Sequence, residues 1–169
     1  NTTASANVGI GRLALTTNTT GACNVAIGCC ALKSNTTANH NTAIGHESLK
    51  SNTEGGCNVA VGRISLQDNT TGANNVAIGA SALQSNTTAS DNVAIGKSAL
   101  TATLTGCRNV AIGSQALISN TADNNVAVGF CALKTNSSGA NNTAVGRFAL
   151  VLNQTGATNT AVGQNSLHS

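Results

Sequence analysis

Apolar positions in this chain fall into a frame that repeats with almost no drift: Val-Ala-Ile, a glycine, two variable residues, Ala-Leu, then a polar turn such as Asn-Thr-Thr-Gly. The pentapeptide Asn24-Val25-Ala26-Ile27-Gly28 returns as Asn75-Val76-Ala77-Ile78-Gly79, with relatives such as Asn41-Thr42-Ala43-Ile44-Gly45. Its closing glycines stand at 11, 28, 45, 62, 79, 96, 113, 129, 146 and 163, so every interval is 17 residues except the 16 from Gly113 to Gly129. A period this short and strict predicts a solenoid, in which one repeat is one coil and no coil buries its apolar side alone. The prediction is an all-β parallel β-solenoid, a single repeat array over 1–169 of ten 17-residue coils with one residue deleted in the turn near 120–124.

Within each coil the alternation in Val25-Ala26-Ile27 marks a strand with two unlike faces. We expect the β-branched pair to face inward, with Ile27, Ile44 and Ile78 stacking on their equivalents. The Ala-Leu segment carries an unbroken leucine column from Leu15 to Leu167, including Leu32, Leu49 and Leu83, and is read as a second core strand. It is too short for more than about a turn and a half of helix, and short helices are marginal. The asparagine that opens each pentapeptide (Asn24, Asn41, Asn58, Asn75, Asn92, Asn109) is read as an internal amide ladder, each amide bonding the one a coil away and nearby backbone. The repeat glycine meets a backbone angle or a close approach that a side chain would forbid. Asn-Thr-Thr-Gly forms the turn, with Gly supplying positive φ. The chain opens in a turn and stops after a leucine segment, so both terminal coils are expected to be uncapped. This suits an excerpt of a longer fibre or subunits stacked end to end.

Composition narrows the options. At 1% aromatic and 8% charged, with 18 Gly, the chain cannot build a thick globular core, whereas 40% apolar residues on a strict period argue against disorder. The net charge of +3, with no basic run interleaved with aromatics, gives no basis for nucleic-acid binding. No stretch approaches the roughly 20 apolar residues of a membrane span. Five carboxylates and no nucleophile–base arrangement exclude the enzyme reading, and no cofactor is expected.

The Asn-x-Ala-Ile-Gly unit, as in Asn92-Val93-Ala94-Ile95-Gly96, resembles the head repeats of trimeric autotransporter adhesins. The longer unit from Asn142 to Gly156 is similar to repeats in phage and large-virus tail-fibre shafts. The resemblance covers the whole chain. It implies a left-handed β-roll with Val and Ile inside, in a fibre on a cell or virion surface or outside the cell, often a homotrimer. Partners are then copies of the chain, end to end or as trimers, and surface glycans in an adhesive alternative.

Candidate chemistry lies on the borders of the repeat. Arg12, Arg63, Lys97 and Arg147 follow the repeat glycine, while Lys33, Lys50 and Lys134 follow the leucine; this mildly basic stripe, with Phe130 and Phe148 beside it, is read as a solvated face or a contact face. Cys23 and Cys57 share a column two coils apart, roughly 9.6 Å, beyond disulfide reach. Cys30 and Cys131 lie six coils apart, Cys29 neighbours Cys30, and Cys107 has no mate in the chain. Free thiols or cross-links between subunits remain, and no zinc-like spacing joins them to His40 or His46. Turn asparagines Asn18, Asn35, Asn69, Asn86, Asn136 and Asn153, with Asn1 and Asn141, form N-x-[ST] glycosylation motifs. A threonine file through Thr2, Thr19, Thr36, Thr53, Thr70 and Thr87 raises ice binding as a lesser alternative.

Overall fold

The computed structural model describes residues 3–168. Each repeat contributes one three-residue strand: β1 (Val8–Ile10), β2 (Val25–Ile27), β3 (Thr42–Ile44), β4 (Val59–Val61), β5 (Val76–Ile78), β6 (Val93–Ile95), β7 (Val110–Ile112), β8 (Val126–Val128), β9 (Thr143–Val145) and β10 (Thr160–Val162). All ten run parallel in one sheet, in chain order. The register stacks equivalents on equivalents, Ala26 on Ala43 and Ile27 on Ile44. It survives the shortened repeat, where Ile112 still pairs with Val128. The chain is therefore an all-β parallel solenoid, and the deletion is absorbed in the turn rather than in the sheet.

The strand points the other way from the expectation. Its alanines face inward: Ala26, Ala43, Ala60 and Ala77 are fully buried. Ile27 is half-buried, and Ile44 and Ile78 are 37% and 39% exposed. Alternation shows that two faces differ; which one turns inward depends on the room inside. Here Leu32, Leu49 and Leu83 fill it from the opposite wall, in one cluster with the strand alanines and with Ala31, Ala82 and Ala99. The interior is one leucine deep, and a second β-branched column does not fit within it.

The leucine segment is not a strand. It is two consecutive turns, closed by Ala31 N–H to Gly28 O (3.3 Å) and Asn35 N–H to Leu32 O (3.2 Å). Cys30 and Leu32 both adopt left-handed φ, 61° and 47°, and the pattern recurs in every coil. These inverted residues aim their N–H groups out of the coil plane in opposite directions. Cys30 donates back to Arg12 O (2.9 Å) and Leu32 donates forward to Ser48 O (3.1 Å). The segment thus hydrogen-bonds to both neighbouring coils without extended backbone.

The repeat glycines have φ of 122–137°. A Cβ on Gly62 would also stand 2.6 Å from the carbonyl oxygen of Gly79, so neither condition admits a side chain. The turn glycines differ from the sequence reading, since positive φ does not fall on them. It falls two residues later, on Cys23, His40, Cys57 and Asn74. Gly21 is tightly packed, since a Cβ there would meet Asn18 Oδ1 at 2.6 Å, yet Ala38 and Ala89 stand buried in the same column, so the position takes alanine as well.

This inverted arrangement is testable by urea unfolding. Leu83→Ala should cost about 2–5 kcal/mol as a core truncation, and Ala77→Leu should destabilise by at least about 1–3 kcal/mol through overpacking. A chain that tolerates leucine at 77 would place that side chain outside.

Candidate functional site

With alanine turned in, the outer surface of the sheet carries two parallel files of β-branched side chains. One runs Val25, Thr42, Val59, Val76, Val93, and the other Ile27, Ile44, Val61, Ile78, Ile95, rung above rung. Ile10, Ile44, Ile78, Ile112, Val145 and Val162 are all exposed large apolar residues of the second file. No charged residue interrupts either file over the ten strands. Charge begins only at the edges, where Arg12, Arg63, Lys97 and Arg147 stand exposed just beyond the repeat glycines.

The basic columns are less uniform than the sequence suggests. Lys50 is paired with Glu47 (Nζ–Oε1, 2.9 Å), and Glu47 also accepts from Gln67. The lysine's hydrogen bond holds the Glu47 carboxyl below its ordinary value, and the carboxylate in turn raises Lys50. Arg108, outside the two columns, pairs with Asp123 (3.0 Å) and Asn124 (2.8 Å). Phe130 and Phe148 meet edge to face at 5.4 Å, and the Arg147 guanidinium lies 4.3 Å from the Phe148 ring centre. This joins three of the sequence-predicted contact residues in one cluster, on the same border as the basic column.

Two asparagine ladders run inside the rod. In the column Asn24, Asn41, Asn58, Asn75, Asn92 and Asn109, each Oδ1 accepts the backbone N–H of the next asparagine, as Asn24 does from Asn41 (2.9 Å). Each Nδ2 donates to a turn carbonyl, as Asn41 does to Gly55 (2.9 Å). The amides mostly bond backbone rather than each other. The amide-to-amide ladder lies in the turn column: Asn35 donates to Asn18 (2.8 Å), Asn52 to Asn35 (3.1 Å), Asn69 to Asn52 (2.7 Å) and Asn86 to Asn69 (2.6 Å).

That second ladder overturns the glycosylation reading for these positions. Asn18, Asn35, Asn69, Asn86 and Asn136 are buried and Asn153 half-buried. In each, Nδ2 already donates inward, as in Asn153 to Asn136 (2.7 Å) and Gly156 (2.9 Å). A glycan needs that nitrogen outside. Asn141 is exposed at a left-handed φ of 61°, and Asn1 lies outside the described residues. A signal was present in the sequence: this column also includes Asn52 and Asn120, where no glycosylation motif exists, so the amide itself recurs.

The column has one substitution, Thr103, whose hydroxyl donates to Asn120 O (2.9 Å). Asn86 Oδ1 is left as the one buried side-chain N or O atom without a partner among the described residues. The threonine file behaves similarly: Thr19, Thr36, Thr53 and Thr70 each donate a hydroxyl to the backbone of the next coil at 2.9–3.2 Å. Thr2 lies outside the described residues.

All six cysteines are unpaired within the chain. Cys29 Sγ and Cys30 Sγ lie 3.5 Å apart. The hydrogen bond to Cys29, and then burial, push the Cys30 thiol up. Among the described residues no three His, Cys, Asp or Glu side chains converge on a metal position, no pocket opens, and no helix is long and apolar enough to cross a membrane.

Thr103→Asn should complete the ladder and raise stability by about 1 kcal/mol, the lower end of the penalty for an unsatisfied buried acceptor; the urea midpoint checks it. The Glu47–Lys50 pair should stabilise only between two limits. Its contribution is lost as pH falls through the depressed glutamate value and again as pH rises through the raised lysine value. The midpoint difference between the native chain and Glu47→Gln should therefore vanish at both extremes. Comparison of the chain with protein-family models, with curated proteins and with solved structures found no match in any of the three.

Proposed function

We propose that this chain is a non-enzymatic structural segment of a filament or fibre shaft, built from copies of itself packed side by side across the Val/Ile face. The observation that carries the reading is that face: two unbroken β-branched files, half-buried to exposed, turned away from an interior already filled with leucine and alanine. Contiguous exposed apolar surface of this kind marks an interaction site. A regular face suits a regular partner, and a second copy has the same rung spacing. The resemblance to adhesin heads and fibre shafts supports the fibre reading, although the Val and Ile that it places inside stand outside in this chain. It adds a homotrimeric arrangement and a place outside the cell, on its surface or on a virion.

The adhesive alternative, with glycans as ligands, has the Phe130, Arg147 and Phe148 cluster in its favour, since an arginine stacked on an aromatic pair is a contact-forming surface. The ice-binding alternative is weakened, because the threonine file directs its hydroxyl hydrogens to backbone carbonyls.

Sedimentation across a concentration series tests the proposal. The native chain should form a discrete assembly, and Ile44→Lys with Ile78→Lys should weaken association by at least about tenfold, equivalent to roughly 1.4 kcal/mol. Far-UV circular dichroism should be unchanged, because both side chains lie outside the core. A native chain that stays monomeric at high concentration overturns the proposal.

A further inference from the structure

The Val/Ile face has two unlike edges, and their residues indicate how copies meet. One edge is the column just before the strand-opening asparagine, which includes Cys23, His40, Asp91 and Arg108, all at left-handed φ of 57–62°. The other is the column just after the repeat glycine, which includes Arg12, Cys29, Lys97 and Arg147. Cys23 and Cys29 flank β2, and Asp91 and Lys97 flank β6, so each pair shares one height along the rod. Cys23, Asp91 and Lys97 are exposed and Cys29 is half-buried.

Copies related by rotation about the rod direction bring the first edge of one against the second edge of the next, coil for coil. Cys23 then faces Cys29 of the neighbour, and Asp91 faces Lys97 of the neighbour. No like-charged carboxylate or guanidinium pair is created at any level, since Arg12 faces Ala6, Arg63 faces Cys57, and Arg147 faces Asn141. Antiparallel copies bring like edges together with the coil order reversed. Cys23 then faces Asn141, Cys29 faces Arg147, Asp91 faces Asn74, and Lys97 faces Ala80. Only the parallel arrangement gives an ion pair and a sulfur pair.

Cys29 has one competing partner, Cys30, and the backbone disfavours it. Neighbouring Cα atoms across a trans peptide lie about 3.8 Å apart, short of the roughly 4.4–6.8 Å usual for a disulfide. The 29–30 peptide is also fixed from both sides, by Cys30 N–H to Arg12 O and Glu47 N–H to Cys29 O, both 2.9 Å.

We infer that copies of this chain align parallel and in register across the Val/Ile face, and that Cys23 of one copy forms a disulfide with Cys29 of the next. The inference rests on the side-by-side assembly proposed above. In the reaction both S–H bonds break and one S–S bond forms. The two hydrogens reduce a low-molecular-weight disulfide such as oxidised glutathione to two thiols. In a cyclic assembly every copy is then tied to the next.

The test uses the full chain prepared in two nitrogen-isotope forms, mixed, assembled and treated with oxidised glutathione. Non-reducing electrophoresis should show covalently linked copies, and mass spectrometry of the digest should find a Cys23–Cys29 peptide pair carrying mixed labels. Cys23→Ser and Cys29→Ser should each abolish that pair while leaving sedimentation under reducing conditions unchanged, and Cys57→Ser should retain it. An assembly that sediments as expected but yields no mixed-label Cys23–Cys29 pair, or yields Cys23–Cys23, overturns the register and leaves side-by-side packing standing. A chain that stays monomeric overturns both.

Discussion

Each coil depends on the coil one repeat away to satisfy its polar groups. Asn41 Oδ1 takes the N–H of Asn58, Asn58 Nδ2 reaches Gly72 O, and Leu49 N–H reaches Ser65 O, none of them within its own coil. This dependence permits a conformation that would otherwise be unfavourable. Three non-glycine residues per coil sit at left-handed φ, for example Cys23, Cys30 and Leu32. Each costs about 1–2 kcal/mol in isolation. What offsets the cost is the direction those residues give their N–H groups, toward one neighbouring coil or the other. A single coil has the strain without the bonds, so order spreads from coil to coil or fails to form, as expected for a one-dimensional array.

The same dependence explains what could be read from the sequence. Period, register, the leucine column and the location of the deletion followed from spacing, because copies that stack must recur in place. The inward face did not follow. Val25-Ala26-Ile27 alternates equally well with either side inside, and hydrophobicity favoured the wrong one. The deciding quantity, the thickness of the coil, depends on how sharply the backbone turns after Gly28, and no residue type between Gly28 and Asn35 announces two left-handed positions. Leucine is a poor candidate for such an angle on local grounds. It is held there by the bond from Leu32 N–H to Ser48 O and by complete burial.

The turn asparagines misled for a related reason. Asn-Thr-Thr reads as surface turn chemistry and, to a glycosylation motif, as an acceptor. In this fold the turn folds its asparagine back into the rod, where it lies against Gly21, Gly55 or Gly72. The turn position is thus held to glycine or alanine, Ala38 and Ala89 included, by the amide beside it and not by an angle. The irregular features fall close together on this side of the rod. Thr103 interrupts the ladder at Asn86, Leu104 replaces a file threonine and is exposed, and the deleted residue follows one coil later, where Asn125 Nδ2 bends to Asn120 Oδ1 at 3.3 Å. The sheet on the opposite side continues through all three unaltered.

That asymmetry bears on function. The turn side accepts a missing residue, a broken ladder and a misplaced leucine, whereas the sheet side keeps a β-branched residue, valine, isoleucine or threonine, at the outward positions of all ten strands. The outward side chains add nothing to an interior already closed by leucine and alanine, and stacking along the rod alone would be served as well by polar threonine, as Thr42 and Thr143 show. An aliphatic file kept where the coil does not require it is the surface that the proposed side-by-side assembly would cover. A partner that matches that file over its whole length needs the same rung spacing, about 4.8 Å, which a second copy has. In the side-by-side assembly proposed above that partner is a second copy, and the unlike edges of the face select which way it points.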